Sequence, residues 1–333
     1  MFIRTFRKAQ WHTPLLLILL GVLFWMQGFL FPHEISGRIA EDNAPFYELL
    51  VPWITGYPLW SMVLAFALLM GQAFFLNHIA TSKGLTDRFS ALPGLLYILL
   101  MSSTPGMIGL HPVLLANVFL LIGLNKIFKV YRERQAIMEV LNVGLLMAVA
   151  GLFYFPALPL LLLLIFSLFL YFPVSLRTLL AALMGYFIPF FFLGLYYYMF
   201  DMLGEKLDAV SISMQPLEVF RQSLDIYQQA FAIALGLLSV FAFFRMQLVY
   251  MADKPIRVRK RVRVLSLFFL FSVLTYLVTV DYIFLHHGVL IIPLSIALAV
   301  FFSDMHNRKL AEAVFSILFL LILGGRFSAF FIF

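Results

Sequence analysis

Cysteine is absent from all 333 residues, which removes disulfides, thiolate metal sites and cysteine nucleophiles together. Charge is scarce as well: Asp, Glu, Lys and Arg make up 12% of the chain, against roughly 25% in an ordinary soluble domain. The glycine-rich phosphate loop of nucleotide hydrolases and the HExxH pair of zinc proteases are both missing. No internal repeat and no low-complexity linker breaks the chain into parts. Within the apolar runs there are almost no ionisable groups, and proton-coupled pumps and ion transporters keep theirs in that position. These absences exclude a soluble globular enzyme and disfavour a coupled transporter.

What is present is apolar: 63% hydrophobic residues, 39 phenylalanines and a mean hydropathy of +1.01. The expected fold is all-α, a single polytopic transmembrane bundle over residues 1–333. A spanning helix needs about 20 residues. Candidate runs start with Leu15 to Phe31 and continue near 59–79, 90–104, 108–125, 137–153, 155–172, 178–200, 228–250, 264–283, 287–303 and 310–330, about eleven spans. The first run is long and lacks a small-x-small cleavage pattern, so an uncleaved span with a cytoplasmic N-terminus is expected. If the runs alternate, 18 of the 23 Lys and Arg fall on one face, including the basic segment 252–263. That is the positive-inside pattern of a multi-pass protein of a bacterial inner membrane. The net charge of +7 therefore reads as topology, and no nucleic-acid partner is expected.

The opposite face collects ten of the 16 acids and two excursions, 32–58 and 201–227. Both read as partly helical and amphipathic, the second with Leu217, Phe220, Leu224, Tyr227 and Phe231 on one stripe. Trp53, Tyr57 and Trp60 suit an interfacial aromatic belt. The first excursion holds Glu34, Arg38, Glu41, Asp42 and Glu48. A carboxylate there serves as a general base or a metal ligand beside a membrane-embedded substrate, or it is plain solvated loop charge. His286 and His287, shortly after Asp281, can orient a phosphate or titrate near neutral pH, or simply sit in an interfacial turn. Adjacent histidines share one metal poorly and no third ligand is near, so no metal site is expected from them. Arg326, with Arg38 and Arg221, offers bidentate donors to a lipid phosphate, or it is a snorkelling anchor. Arg245 is expected to snorkel towards the basic face, and ADKPIRVRKRVR to meet anionic headgroups.

Three passages resemble the GT-C class of membrane glycosyltransferases: the acidic loop HEISGRIAEDNAPFY, the short hairpins from Leu92 to Leu170, and HHGVLIIPLSIALAVFF late in the chain. The resemblance implies transfer of a sugar from a polyprenyl-phosphate donor at the external face. It implies Asp42 or Glu41 as catalytic base, then Glu34, with Arg38, His286, His287 and Arg326 holding the lipid phosphate. The acid expected in a second external loop is missing, since SSTPGMIGLHP offers only Ser, Thr and His111. No cofactor is expected, and a divalent-metal requirement stays open. The partners expected are membrane lipid and the lipid-linked donor. Two alternatives stand beside this reading: a non-catalytic subunit docking an envelope protein partner, and a transporter of lipid or a small solute. The chain also resembles a family of bacterial inner-membrane proteins that carries no activity with it.

Overall fold

In an apolar solvent every backbone N–H and C=O must be satisfied within its own segment, so the apolar runs have one solution, the helix. The computed structural model describes residues 2–7, 12–32, 44–87, 90–130, 137–171, 175–206, 226–275, 283–305 and 307–331, and among them no strand occurs. The helices are α1 (Phe2–Arg7), α2 (Thr13–Leu30), α3 (Pro45–Glu48), α4 (Val51–Gly56), α5 (Pro58–Ser82), α6 (Leu92–Met101) and α7 (Pro112–Val130). They continue with α8 (Ile137–Phe153), α9 (Leu161–Tyr171), α10 (Leu176–Met199), α11 (Ile226–Arg245), α12 (Ile256–Leu274), α13 (Ile283–Asp304) and α14 (Arg308–Phe331). Proline stands in the first turn of α2 through α6, where its missing N–H costs nothing, and none of those helices has a side-chain cap. At α10 the Ser175 hydroxyl accepts from the Thr178 N–H instead.

Helices occupy every apolar run, yet six of them are long and apolar enough to cross a membrane among the described residues: Thr13–Leu30, Pro58–Ser82, Pro112–Val130, Leu176–Met199, Phe231–Tyr250 and His287–Asp304. Three further apolar helices are shorter. The expected figure of about eleven also counts α6, α8, α9, α12 and α14. At 1.5 Å per residue the ten residues of α6 reach about 15 Å, half a bilayer core. The first two turns of α12 are spent on Arg257, Arg259, Lys260, Arg261 and Arg263.

The core is built around α13 and α6. From Gly288 to Phe302 every residue of α13 is buried, and so is every residue of α6. Helices α6, α7, α11 and α12 all pack on α13. By contrast α10 turns Leu176, Leu180, Met184, Phe187, Phe191, Leu195 and Tyr198 outward, a continuous stripe 45–71% exposed at spacings of three and four. In water such a stripe would be a liability; on a membrane helix it is the surface that meets lipid. On its other face Gly185 lies against Leu141 of α8, and Gly144 against Ala182, so the two backbones nearly touch.

One end of the bundle is cross-linked by cations and by a tyrosine. Arg7 pairs with Asp87, Lys126 with Glu139, and Arg245 with Asp304. Arg261 donates to the Lys83 carbonyl, Tyr250 to that of Leu85, and Lys260 to that of Tyr171. Arg245, expected to snorkel towards the basic face, has its guanidinium 5.6 Å from the centre of the Phe301 ring, within reach of both the carbonyl and the carboxylate of Asp304.

Candidate functional site at the acidic end

Beneath the acidic end, the few polar side chains of the apolar runs find one another. Gln72 of α5 donates to the Leu114 carbonyl at 2.7 Å and accepts from the Tyr97 hydroxyl of α6. Asn117 of α7 donates to the Tyr97 oxygen at 3.1 Å and to the Gly288 carbonyl of α13 at 2.9 Å. Four helices are therefore held in register by neutral groups, because in this setting an unpaired amide is costly and an ion more so. Trp25 of α2 joins from the side, donating to the Ser102 hydroxyl at 3.0 Å.

Above this network runs the connection between α6 and α7, residues 102–111. It is an irregular chain at depth, and such backbone survives there only inside protein or beside a polar space. Gly109, at φ +112°, supplies a backbone conformation that other residues avoid. His111 ends the connection fully buried, and its Nδ1 accepts from the Leu114 N–H at 3.1 Å, which fixes the proton on Nε2. Nε2 makes no hydrogen bond of normal geometry, nor do Thr104 Oγ1 and Asn117 Oδ1. Three orphaned polar atoms thus lie at and just below this connection.

Two chain segments close on it. Tyr47 of α3, fully buried, donates its hydroxyl to the Leu110 carbonyl at 3.0 Å, next to His111. Ala44 and Ile54 are buried beside it, so the end of the first acidic excursion is seated in the bundle, as two short helices. From the other side the first turns of α13 arrive: a Cβ on Gly288 would lie 2.5 Å from Val113 Cγ1 and 3.2 Å from Met107 Cε, so only glycine lets them come this close. The second excursion is tied in by Lys206, whose ammonium meets both carboxylate oxygens of Glu48 at 2.7 and 2.8 Å. The Glu48 contact raises the Lys206 pKa above the ordinary lysine value, against the opposing effect of burial.

Of the residues singled out from the sequence, Glu34, Arg38, Glu41 and Asp42 lie outside the described residues, as do Leu217, Phe220 and Leu224. His287 is half-buried on the first turns of α13, and His286 precedes it on the same helix. Arg326 stands near the far end of α14. Phe319, seven residues earlier, packs edge-on against Phe24 of α2. Sequence reasoning passed over Tyr47, weighed Asn117 and Gln72 only as thin material for a transport path, and named His111 only among the residues of a loop that lacks the expected acid. Among the described residues no group of three metal-ligating side chains forms. No protein-family model matches the chain, and neither a curated protein nor a solved structure matches it.

Proposed function

We propose that the chain is a membrane transferase of the GT-C kind, moving a sugar from a polyprenyl-phosphate donor to a hydroxyl acceptor at the acidic face. One observation supports the reading: the buried Tyr47–Leu110 hydrogen bond, which seats the described end of the first excursion against the polar connection that ends in His111. Asp42 lies five residues before Tyr47, and Glu41 is beside it. The first turns of α13, carrying His286 and His287, border the same connection through Gly288. In this reading the acidic face is external and the basic end cytoplasmic, in a bacterial inner membrane.

The chemistry is a displacement at the anomeric carbon. The carboxylate of Asp42 or Glu41 takes the acceptor's hydroxyl proton as the new carbon–oxygen bond forms. The bond from the anomeric carbon to the phosphate oxygen breaks, and polyprenyl phosphate leaves with the electron pair. Charge develops on that phosphate, and fixed cations and N–H donors stabilise it. Arg38, Arg326 and the histidines are the groups available for this, with Glu34 a second acid in reserve.

The test is donor turnover in vesicles holding the purified chain, with polyprenyl-phosphate sugars supplied and release of free polyprenyl phosphate followed. Asp42→Asn combined with Glu41→Gln should abolish release while the protein still elutes as a single folded species. Tyr47→Phe, which keeps both acids but loosens their seat, should slow it. Release that is unchanged in the Asp42/Glu41 variant sinks the proposal.

A further inference from the structure

The basic end holds a recess that plays no part in the transferase reading. It is half-enclosed, about 130 Å3, and lies between α1, the turn after α5, the chain that follows α11 and the last turn of α13. One water needs about 10–15 Å3 of such space, so the recess admits a group of several heavy atoms. Its polar lining is Arg7, Thr86, Asp87, Lys254, Ser303 and Asp304.

Two observations mark it as a place for a ligand. Thr86 Oγ1 and Ser303 Oγ are both buried without a hydrogen-bond partner, and both residues line the recess. Other hydroxyls of the bundle return to their own helices: Ser167 donates to the Leu163 carbonyl, Ser266 to that of Val262 and Ser295 to that of Ile291. A buried hydroxyl left unpaired is costly, and a polar guest that reaches it removes the cost. The second observation is the backbone alongside. Met246–Tyr250 is a π-helix, a rare form that recurs at functional sites, and it brings Tyr250 and then Lys254 to the wall. The Tyr250 hydroxyl is fixed there by donating to the Leu85 carbonyl at 2.7 Å.

The charges select the guest. Arg7 and Lys254 share the lining with Asp87 and Asp304, so it carries two charges of each sign. These are loosely engaged with one another. Arg7 and Asp87 are 3.6 Å apart, beyond hydrogen-bond length, and Asp304 meets Arg245, a guanidinium outside the lining. The Lys254 ammonium lies 4.6 Å from the centre of the Tyr250 ring and has no carboxylate partner among the described residues. An anion would meet two carboxylates here, and a cation would meet two cationic side chains. A molecule carrying both signs finds a partner for each.

We propose that the recess binds a phosphoethanolamine zwitterion, the headgroup of a neutral bilayer lipid. Its phosphate goes to Arg7 and Lys254, and its primary ammonium to Asp87 and Asp304, with the Thr86 and Ser303 hydroxyls bonding to the oxygens between. The ammonium then sits at the carboxyl end of α13, where a helix favours positive charge. A primary ammonium offers three N–H donors to the carboxylates; a trimethylated one offers none.

The full chain, freed of lipid in a neutral detergent, is titrated with phosphatidylethanolamine, phosphatidylcholine, phosphatidylglycerol and the tail-less glycerophosphoethanolamine. Bound species are counted by native mass spectrometry. Phosphatidylethanolamine should bind about tenfold more tightly than either other lipid, the worth of one charge-assisted hydrogen bond. Thr86→Val with Ser303→Ala should weaken it about tenfold yet leave the melting temperature without lipid unchanged, since within the protein those hydroxyls bond to nothing. Asp87→Asn with Lys254→Gln should abolish the preference among the three lipids. Asp253→Asn with Arg257→Gln, which removes one charge of each sign outside the recess, should preserve it. Competition by glycerophosphoethanolamine at equal concentration would keep the site and assign it to a soluble zwitterion; failure to compete assigns it to the bilayer lipid. No preference among the three lipids in the wild type, or undiminished binding in the Thr86/Ser303 variant, would overturn the proposal.

Discussion

Replacing Gly185 with alanine should force α8 and α10 apart. The added carbon would lie 2.2 Å from the Leu141 carbonyl oxygen, 3.0 Å from its carbonyl carbon and 3.1 Å from its Cα. Carbon–oxygen contacts between packed helices run at about 3.3–3.6 Å, so the shortfall is about 1 Å. All three atoms are backbone and none can rotate away. Gly144 faces the same difficulty from the other helix, with the Ala182 carbonyl oxygen at 2.5 Å and the Tyr186 nitrogen at 3.0 Å. Separation would also stretch the bond from the Tyr186 hydroxyl to the Leu158 carbonyl, now 3.0 Å. Overpacking of this kind costs about 1–3 kcal/mol, and the backbone character of the clash puts Gly185→Ala in the upper part of that range. At about 2 °C per kcal/mol for a chain of this length, the melting temperature in detergent should fall by about 4–6 °C. Gly194 lies on the same helix with nothing within 4 Å, and its change to alanine should be neutral or stabilising by up to about 1 kcal/mol. The Gly144→Ala, Gly185→Ala double variant should cost less than the two single changes added together, because both widen one crossing. A Gly185→Ala protein that melts with the wild type would refute the close approach.

Two further outcomes follow from the polar groups. Asn117→Leu deletes two buried donations and should cost about 1–2 kcal/mol, with strong coupling to Tyr97→Phe in a double-mutant cycle; additive losses would mean the bonds are independent. Glu48→Gln removes a partly exposed ion pair and should cost under about 1 kcal/mol. Because the Lys206 pKa is raised, that pair's contribution should be flat from neutral pH through mild alkali and lost only above the ordinary lysine range, which a melting series against pH would read directly.

Hydropathy made the helices legible, because an apolar run has a single backbone solution in lipid. Their lengths were harder to read: a run such as LLYILL looks like any other span until its helix stops at Met101 and the chain goes on through buried Ser102 and Ser103 into a short turn. The interior network was not legible at all. Asn117 bonds a carbonyl 171 residues away, and a carbonyl leaves no mark on a sequence. Glu48 and Lys206 each read as ordinary loop charge until packing brought them together across 158 residues. Gly144 and Gly185 show the same gap, since what distinguishes them from Gly194 is the helix opposite. The acids of the first excursion stood out as residue types, whereas the seat of its described end depends on Tyr47, whose hydroxyl signals nothing until Leu110 lies beneath it.

The carbonyl groups at the basic end carry a consequence for biogenesis. Lys83 at the end of α5 is capped by Arg261, 178 residues later, and Leu85 by Tyr250, 165 residues later. Tyr171 at the end of α9 waits 89 residues for Lys260. During synthesis, therefore, the early helices enter the membrane with their exit ends open, and only the arrival of the π-helical stretch Met246–Tyr250 and the start of α12 shuts them. A chain halted before Tyr250 would leave those three carbonyls without these partners, so the first half of the bundle is closed only by the second.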